Sequence, residues 1–147
     1  MKIEHLFSVA NKTAVVTGGS RGIGEMITRA LIENGARVII TSRKAADCTA
    51  LADELGPNCI AIPADLSRMD EIERFAAAVA GHFPTLDILF NNAGASWGAG
   101  IDDFPESGWD KVMDLNVKSV FFLTQKLLPQ LAAAGTSAAP AKVINIG

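Results

Sequence analysis

The stretch Thr17-Gly18-Gly19-Ser20-Arg21-Gly22-Ile23-Gly24 carries the most specific chemistry in the chain. An apolar run, Thr13 to Val16, precedes it, and Glu25 to Asn34 follows with Met26, Ile27, Ala30 and Leu31 at helical spacing. A strand, a glycine turn and a helix in that order make an anion site. The turn lets backbone N–H groups face a phosphate, and the helix N-terminus adds about half a positive charge. A Cβ at Gly18, Gly22 or Gly24 would hold a diphosphate off the backbone or push the helix off the strand. No Lys-Ser or Lys-Thr pair follows Gly24, which disfavours a P-loop. The chemistry this implies is recognition of a dinucleotide.

Further polar residues fall where strands should end. A site for NAD would place an acid about 20 residues beyond the glycines, on the ribose 2′-hydroxyl. Ser42 stands there instead, followed by Arg43 and Lys44, with Arg21 inside the turn. A basic cluster without the acid suits a 2′-phosphate, hence NADP (NADPH) rather than NAD. Asp65-Leu66 closes a third strand; the carboxylate can accept an adenine amino hydrogen or cap a helix beginning near Ser67. A fourth strand ends at Asn91-Asn92-Ala93-Gly94. Asn116 falls on the apolar face of a helix with Val112, Val120, Leu123 and Leu127, where a buried amide must find hydrogen bonds. Spacing alone favours a satisfied core asparagine slightly over a functional one. Val117, Phe121 and Leu128 give that helix a second apolar side, so it is either deeply buried or part of a subunit interface, of which the interface is preferred. Trp97 and Trp109 flank a flexible loop and suit either a pocket wall or ordinary packing. His5 and His82 have no partners at ligand or triad spacing.

The elements that must position these residues alternate. Strand-like runs cover Thr13–Thr17, Arg37–Thr41, Cys59–Pro63, Leu86–Phe90 and Lys142–Ile146; helical patterns cover Gly22–Asn34, Lys44–Leu55, Arg68–Gly81 and Ser107–Ala134. Strands apolar on both faces between helices make a doubly wound parallel α/β sheet of Rossmann type. Right-handed crossovers give the order 3-2-1-4-5, with ligand at the switch point between strands 1 and 4. A chain of 147 residues with 49% hydrophobic residues makes one domain, 1–147. The net charge of −3 argues against nucleic acid, and no apolar run approaches the roughly 20 residues of a membrane helix. Cys48 and Cys59 lack metal spacing and read as free thiols of a soluble cytoplasmic protein.

Taken together, Thr17-Gly18-x-x-x-Gly22-x-Gly24, Asp65-Leu66, Asn91-Asn92-Ala93-Gly94, Asn116 and Val143-Ile144-Asn145-Ile146 resemble the short-chain dehydrogenase/reductase family. Within it the motifs are similar to those of NADP-dependent 3-oxoacyl reductases, of the type associated with rhamnolipid synthesis. The resemblance implies hydride transfer between NADPH and a small carbonyl or hydroxyl substrate. It implies that Gly18, Ser20, Arg21, Gly22, Ile23 and Gly24 line the cofactor, with Arg21 and Arg43 on the 2′-phosphate beside Ser42. Asp65 and Leu66 would meet the adenine, and Asn91, Ala93 and Gly94 the adenosine side. Thr17 would tie strand 1 to strand 4. Asn116 would be the active-site asparagine, on a helix kink that holds a water of the proton relay. A homo-oligomer through the helix 107–134 is the implied assembly.

One departure stands out. The family's reaction uses a serine just past strand 5 and then a Tyr-x-x-x-Lys pair. This chain stops at Gly147, where that serine is expected, and contains no tyrosine. The expectation is therefore an amino-terminal portion, truncated after strand 5, with an exposed sheet edge and no catalysis on its own. A non-catalytic dinucleotide-binding module is the alternative. A methyltransferase would want an acid where Ser42 stands.

Overall fold

The computed structural model describes residues 7–147, so His5 and the extreme N-terminus lie outside the described residues. Five parallel strands form one sheet: β1 (Thr13–Thr17), β2 (Arg37–Thr41), β3 (Cys59–Ala61), β4 (Ile88–Asn91) and β5 (Lys142–Asn145). Their spatial order is β3-β2-β1-β4-β5, as the crossover rule predicts. The helices are α1 (Gly22–Glu33), α2 (Ala45–Leu55), α3 (Met69–His82), α4 (Glu106–Met113) and α5 (Ser119–Ala134). A five-residue π segment, Asp114–Lys118, joins α4 to α5.

Alternate residues of the central strands enter two separate cores. Ala14, Val16, Val38 and Ile40 pack under α1 and α2, with Leu31, Cys48 and Leu51. Val15, Ile39 and Leu89 pack under α3 and α5, with Phe75, Val79, Leu123 and Leu127. Ala14, Val15 and Val16 are wholly buried, which is why the run carries no polar alternation. Among the described residues β5 pairs with β4 alone, and Val143 is exposed.

Asn34-Gly35 ends α1: Gly35 takes a φ of 82°, and Ala36 N–H returns to the Leu31 carbonyl. Gly56 ends α2 with a φ of 83°. Ser67 does not start α3, which begins two residues later at Met69; its hydroxyl is donated to Asp65 instead. Cys48 and Cys59 are both buried free thiols, and burial pushes Cys59 up to about 11, with Cys48 adding to the shift. Among the described residues no helix is long and apolar enough to cross a membrane.

Candidate functional site

A crevice of about 340 Å³ opens over the carboxyl ends of the strands, where the strand order reverses between β1 and β4. The glycine turn supplies Gly18, Ser20, Arg21, Gly22, Ile23 and Gly24 to its lining. Thr41, Ser42 and Arg43 come from the end of β2, Ala64 and Leu66 from beyond β3, and Asn92, Ala93 and Gly94 from beyond β4. Leu115 reaches in from the π segment.

The turn is held by close approach. Gly18 has a φ of +64°, and a Cβ there would sit 3.1 Å from the Ala93 Cα. A Cβ on Gly24 would lie 2.1 Å from the Gly18 carbonyl oxygen and 2.5 Å from the Asn92 amide nitrogen. The first turn of α1 therefore rests directly on the glycine turn. Thr17 Oγ1 accepts the Asn92 and Ala93 N–H groups, each at 2.9 Å, and donates to the Phe90 carbonyl at 3.3 Å. The Asn92 amide donates to the Thr17 carbonyl at 2.9 Å. One threonine and one asparagine thus stitch the two unusual turns together.

Among the described residues the N-terminus of α1 has no side-chain cap. Among the described residues the N–H groups of Ser20, Gly22 and Ile23 have no backbone acceptor. Uncapped donors and the positive end of a helix dipole converge on a crevice free of carboxylates, which fits a diphosphate. Arg21 and Arg43 flank the crevice, exposed and without an ion pair among the described residues. Lys44 is turned aside, 3.9 Å from Asp47.

The family profile described as short chain dehydrogenase matches residues 12–147. The chain is 52% identical over 143 residues to the rhamnolipids biosynthesis 3-oxoacyl-[acyl-carrier-protein] reductase of Pseudomonas aeruginosa, covering 96% of this chain and 56% of that protein. The chain belongs to the short chain dehydrogenases. Among solved structures, a Pseudomonas aeruginosa RhlG/NADP active-site complex superposes with a TM-score of 0.91 at 52% identity, over 96% of this chain and 56% of that one. A Brucella melitensis 3-ketoacyl-(acyl-carrier-protein) reductase complexed with NADH gives 0.86 at 29% identity, over 94% and 57%. The chain spans little more than half the length of these relatives.

In this short chain dehydrogenase, several residues singled out by sequence stand apart from the crevice lining. Asp65 Oδ1 accepts the Ser67 N–H at 3.1 Å and the Ser67 hydroxyl at 2.7 Å, closing the turn beyond β3. Asn91 is 3% exposed and donates its amide to Asn145 at 2.9 Å and Thr124 at 3.3 Å, beneath the sheet end. Asn116 is exposed, not on a buried apolar face. The π segment inserts an extra residue into the helical turn, which breaks the phase of an ideal wheel. Its amide is spent on Ala95, accepting that N–H and donating to that carbonyl, both at 2.8 Å. Trp97 packs over Gly108, where a Cβ would lie 2.8 Å from the ring, and Lys111 Nζ stands 5.1 Å from the ring centroid.

Residue type and spacing do not mark Asn92, Thr41, Ala64 or Leu115 as lining the crevice. Asn92 sits inside a recognised motif, and both its N–H and its side-chain amide bond to Thr17. Thr41 had one visible signal, a hydroxyl closing an otherwise apolar strand; in the structure it is wholly buried and unpartnered among the described residues.

Proposed function

We propose that this chain binds NADPH across the crevice, within a short chain dehydrogenase that transfers hydride to the carbonyl of a 3-oxoacyl substrate. One observation carries the coenzyme reading. Arg21 and Arg43 are unpaired among the described residues and flank the crevice beside Ser42, where an NAD site would place an acid. Two guanidinium groups suit a 2′-phosphate, and the N–H groups of the uncapped α1 suit the diphosphate. Leu66 and Ala64 offer an apolar wall for adenine, and Ala93 and Gly94 line the side where the adenosine ribose would lie; Asp65, outside the lining, holds the turn that carries Leu66. Asn91 ties the end of β4 to Asn145 and Thr124, one residue before Asn92 enters the crevice. The coenzyme supplies the hydride. Asn116 belongs to the proton path on this reading; its side chain is committed to Ala95, so the backbone of the π segment is what it offers to a water. The substrate class follows the 52% identical Pseudomonas relative.

The sequence contains no tyrosine, so these 147 residues do not hold that general acid and bind coenzyme without turnover. A dinucleotide-binding module without catalysis is the second reading. A cytoplasmic setting and one binding domain over 1–147 belong to both. A homo-oligomer through 107–134 is supported by one apolar stripe on α5 and the π segment: Val117 is 51% exposed, Phe121 62% and Leu128 57%.

Fluorescence titration with NADPH and NADH tests the coenzyme. NADPH should bind more tightly. Arg43→Ala should weaken NADPH by about tenfold to a hundredfold, the worth of a charge-assisted phosphate contact, and leave NADH unchanged. No binding of either coenzyme, or equal NADPH affinity in both proteins, would overturn the assignment.

A further inference from the structure

The buried hydroxyl of Thr28, in the second turn of α1, points back at the glycine turn. It donates to the Gly24 carbonyl at 2.8 Å and stands 3.2 Å from the Gly19 carbonyl, so its one proton is shared between two acceptors. Thr28 is wholly buried and is absent from the crevice lining. The Gly24 carbonyl also takes its ordinary helical bond from within α1. Among the described residues, the Gly19 carbonyl has no other hydrogen-bond donor outside the regular elements. On its other side Gly19 donates its N–H to the Thr41 carbonyl at 3.3 Å, and a Cβ there would lie 2.7 Å from the Ile40 side chain. The Gly19 residue is thus fixed by β2 through its N–H and by α1 through its C=O.

This fixes the next peptide group. All peptide bonds among the described residues are trans, so the C=O of Gly19 and the N–H of Ser20 point in opposite directions. With the carbonyl drawn inward to Thr28, the Ser20 N–H is turned outward to the crevice that Ser20 lines, and it has no backbone acceptor there. We propose that Thr28 is a positioning residue of the coenzyme site: from behind the helix, its hydroxyl holds the Gly19–Ser20 peptide so that the Ser20 N–H faces the diphosphate. The proposal rests on the dinucleotide reading above and adds a residue that touches no part of the ligand.

Without the hydroxyl, a buried carbonyl loses its donor, and the peptide is freed to rotate toward water before ligand arrives. The competent fraction falls, and apparent affinity falls with it. A net hydrogen bond of ordinary strength corresponds to about threefold to tenfold weaker binding. The loss must be equal for NADPH and NADH, because the diphosphate is common to both. That pattern differs from the effect expected at Arg43.

Three variants of the full chain separate the oxygen from the space it fills. Thr28→Ser keeps the hydroxyl and loses a methyl, Thr28→Val does the reverse, and Thr28→Ala loses both. Titrations with NADPH and with NADH, each beside a thermal melt of the ligand-free protein, give the readout. Affinity close to the parent in Thr28→Ser, with an equal threefold to tenfold loss for both coenzymes in Thr28→Val, is the expected result. If Thr28→Val does not fold, Thr28→Ser against Thr28→Ala carries the same comparison, since they differ by the oxygen alone. Equal affinity in those two, or retained affinity in Thr28→Val with a loss in Thr28→Ser, would show a packing role and overturn the proposal while NADPH still binds the parent. A parent that binds neither coenzyme overturns the dinucleotide reading, and the role of Thr28 falls with it.

Discussion

Adding one methyl group at Gly24 or at Gly81 should move stability in opposite directions. Both glycines lie in helices, and alanine exceeds glycine there by up to about 1 kcal/mol. At Gly81, in the last turn of α3, nothing among the described residues lies within 4 Å of an added Cβ. Propensity acts alone, and Gly81→Ala should melt up to about 3 °C higher, at roughly 2–4 °C per kcal/mol for a domain of this size. At Gly24 the new Cβ meets the Gly18 carbonyl oxygen at 2.1 Å and the Asn92 amide at 2.5 Å. Relief to 3.0 Å means opening the gap between α1 and the turn by about 0.9 Å. Overpacking of that kind costs about 1–3 kcal/mol. Displacing Asn92 from its 2.9 Å bond to the Thr17 carbonyl costs about 1 kcal/mol more. Set against the gain in propensity, Gly24→Ala should be destabilised by about 1–3 kcal/mol. A melt about 3–10 °C below the parent follows.

Binding sharpens the test. A helix N-terminus moved by most of an ångström takes its N–H groups out of hydrogen-bond range of a diphosphate seated on them. NADPH affinity should fall by more than about tenfold in Gly24→Ala and stay unchanged in Gly81→Ala. Scanning calorimetry gives the first quantity and fluorescence titration the second. A Gly24→Ala protein that melts with the parent and binds NADPH as well would refute the close packing of α1 on the turn.

Two other outcomes can be stated from single side chains. Burial alone would push the Asp87 carboxyl up; the Thr13 N–H, the Lys12 ammonium and the Thr13 hydroxyl outweigh it and hold the carboxyl below its ordinary range. A depressed folded value means stability that is present above the unfolded value near 4 and is lost as pH falls through the folded one. Urea midpoints between about pH 6 and pH 2 should therefore fall less steeply in Asp87→Asn than in the parent; parallel slopes would remove that role. On the α5 stripe, Phe121→Glu should shift the protein to the monomer in sedimentation equilibrium, because a carboxylate in an apolar interface cannot find a partner. An unchanged mass, or a parent that is already monomeric, would overturn the proposed interface.

The sheet was legible because its strands are buried on both faces. Ala14-Val15-Val16 and Val38-Ile39-Ile40 are continuous apolar runs, and only a parallel sheet covered on two sides needs them. Strand ends were less so. Leu86 is wholly buried and looks like strand, yet its N–H goes to the Gln130 carbonyl of α5, not to a neighbouring strand. Hydropathy reports burial, and burial does not say who takes the N–H. Asn116 failed for a different reason: the wheel assumes a constant 100° step, and the π segment breaks that step at the residue in question. Thr28 left no signal at all, since a threonine among Met26, Ile27 and Leu31 looks like a tolerated polar residue on a helix face.

The contrast between β1 and the helix around Asn116 shows where building the site conflicts with building the fold. Thr17 and Thr41 are register partners at the ends of β1 and β2, and Asn91 and Asn145 at the ends of β4 and β5. Threonine is at home in a strand, and its hydroxyl can serve the loop beyond the last ladder bond, as Thr17 does for Asn92 and Ala93. Sheet and site make the same demand of that residue, so no distortion results. Asn116 is asked to span from a helix to the loop at Ala95, and a helix offers it no such reach without giving up its regular ladder. The π turn falls there, where α4 passes into α5. Local irregularity thus falls at the element that has to satisfy two geometries at once, and the strands whose carboxyl ends lead into the crevice remain regular.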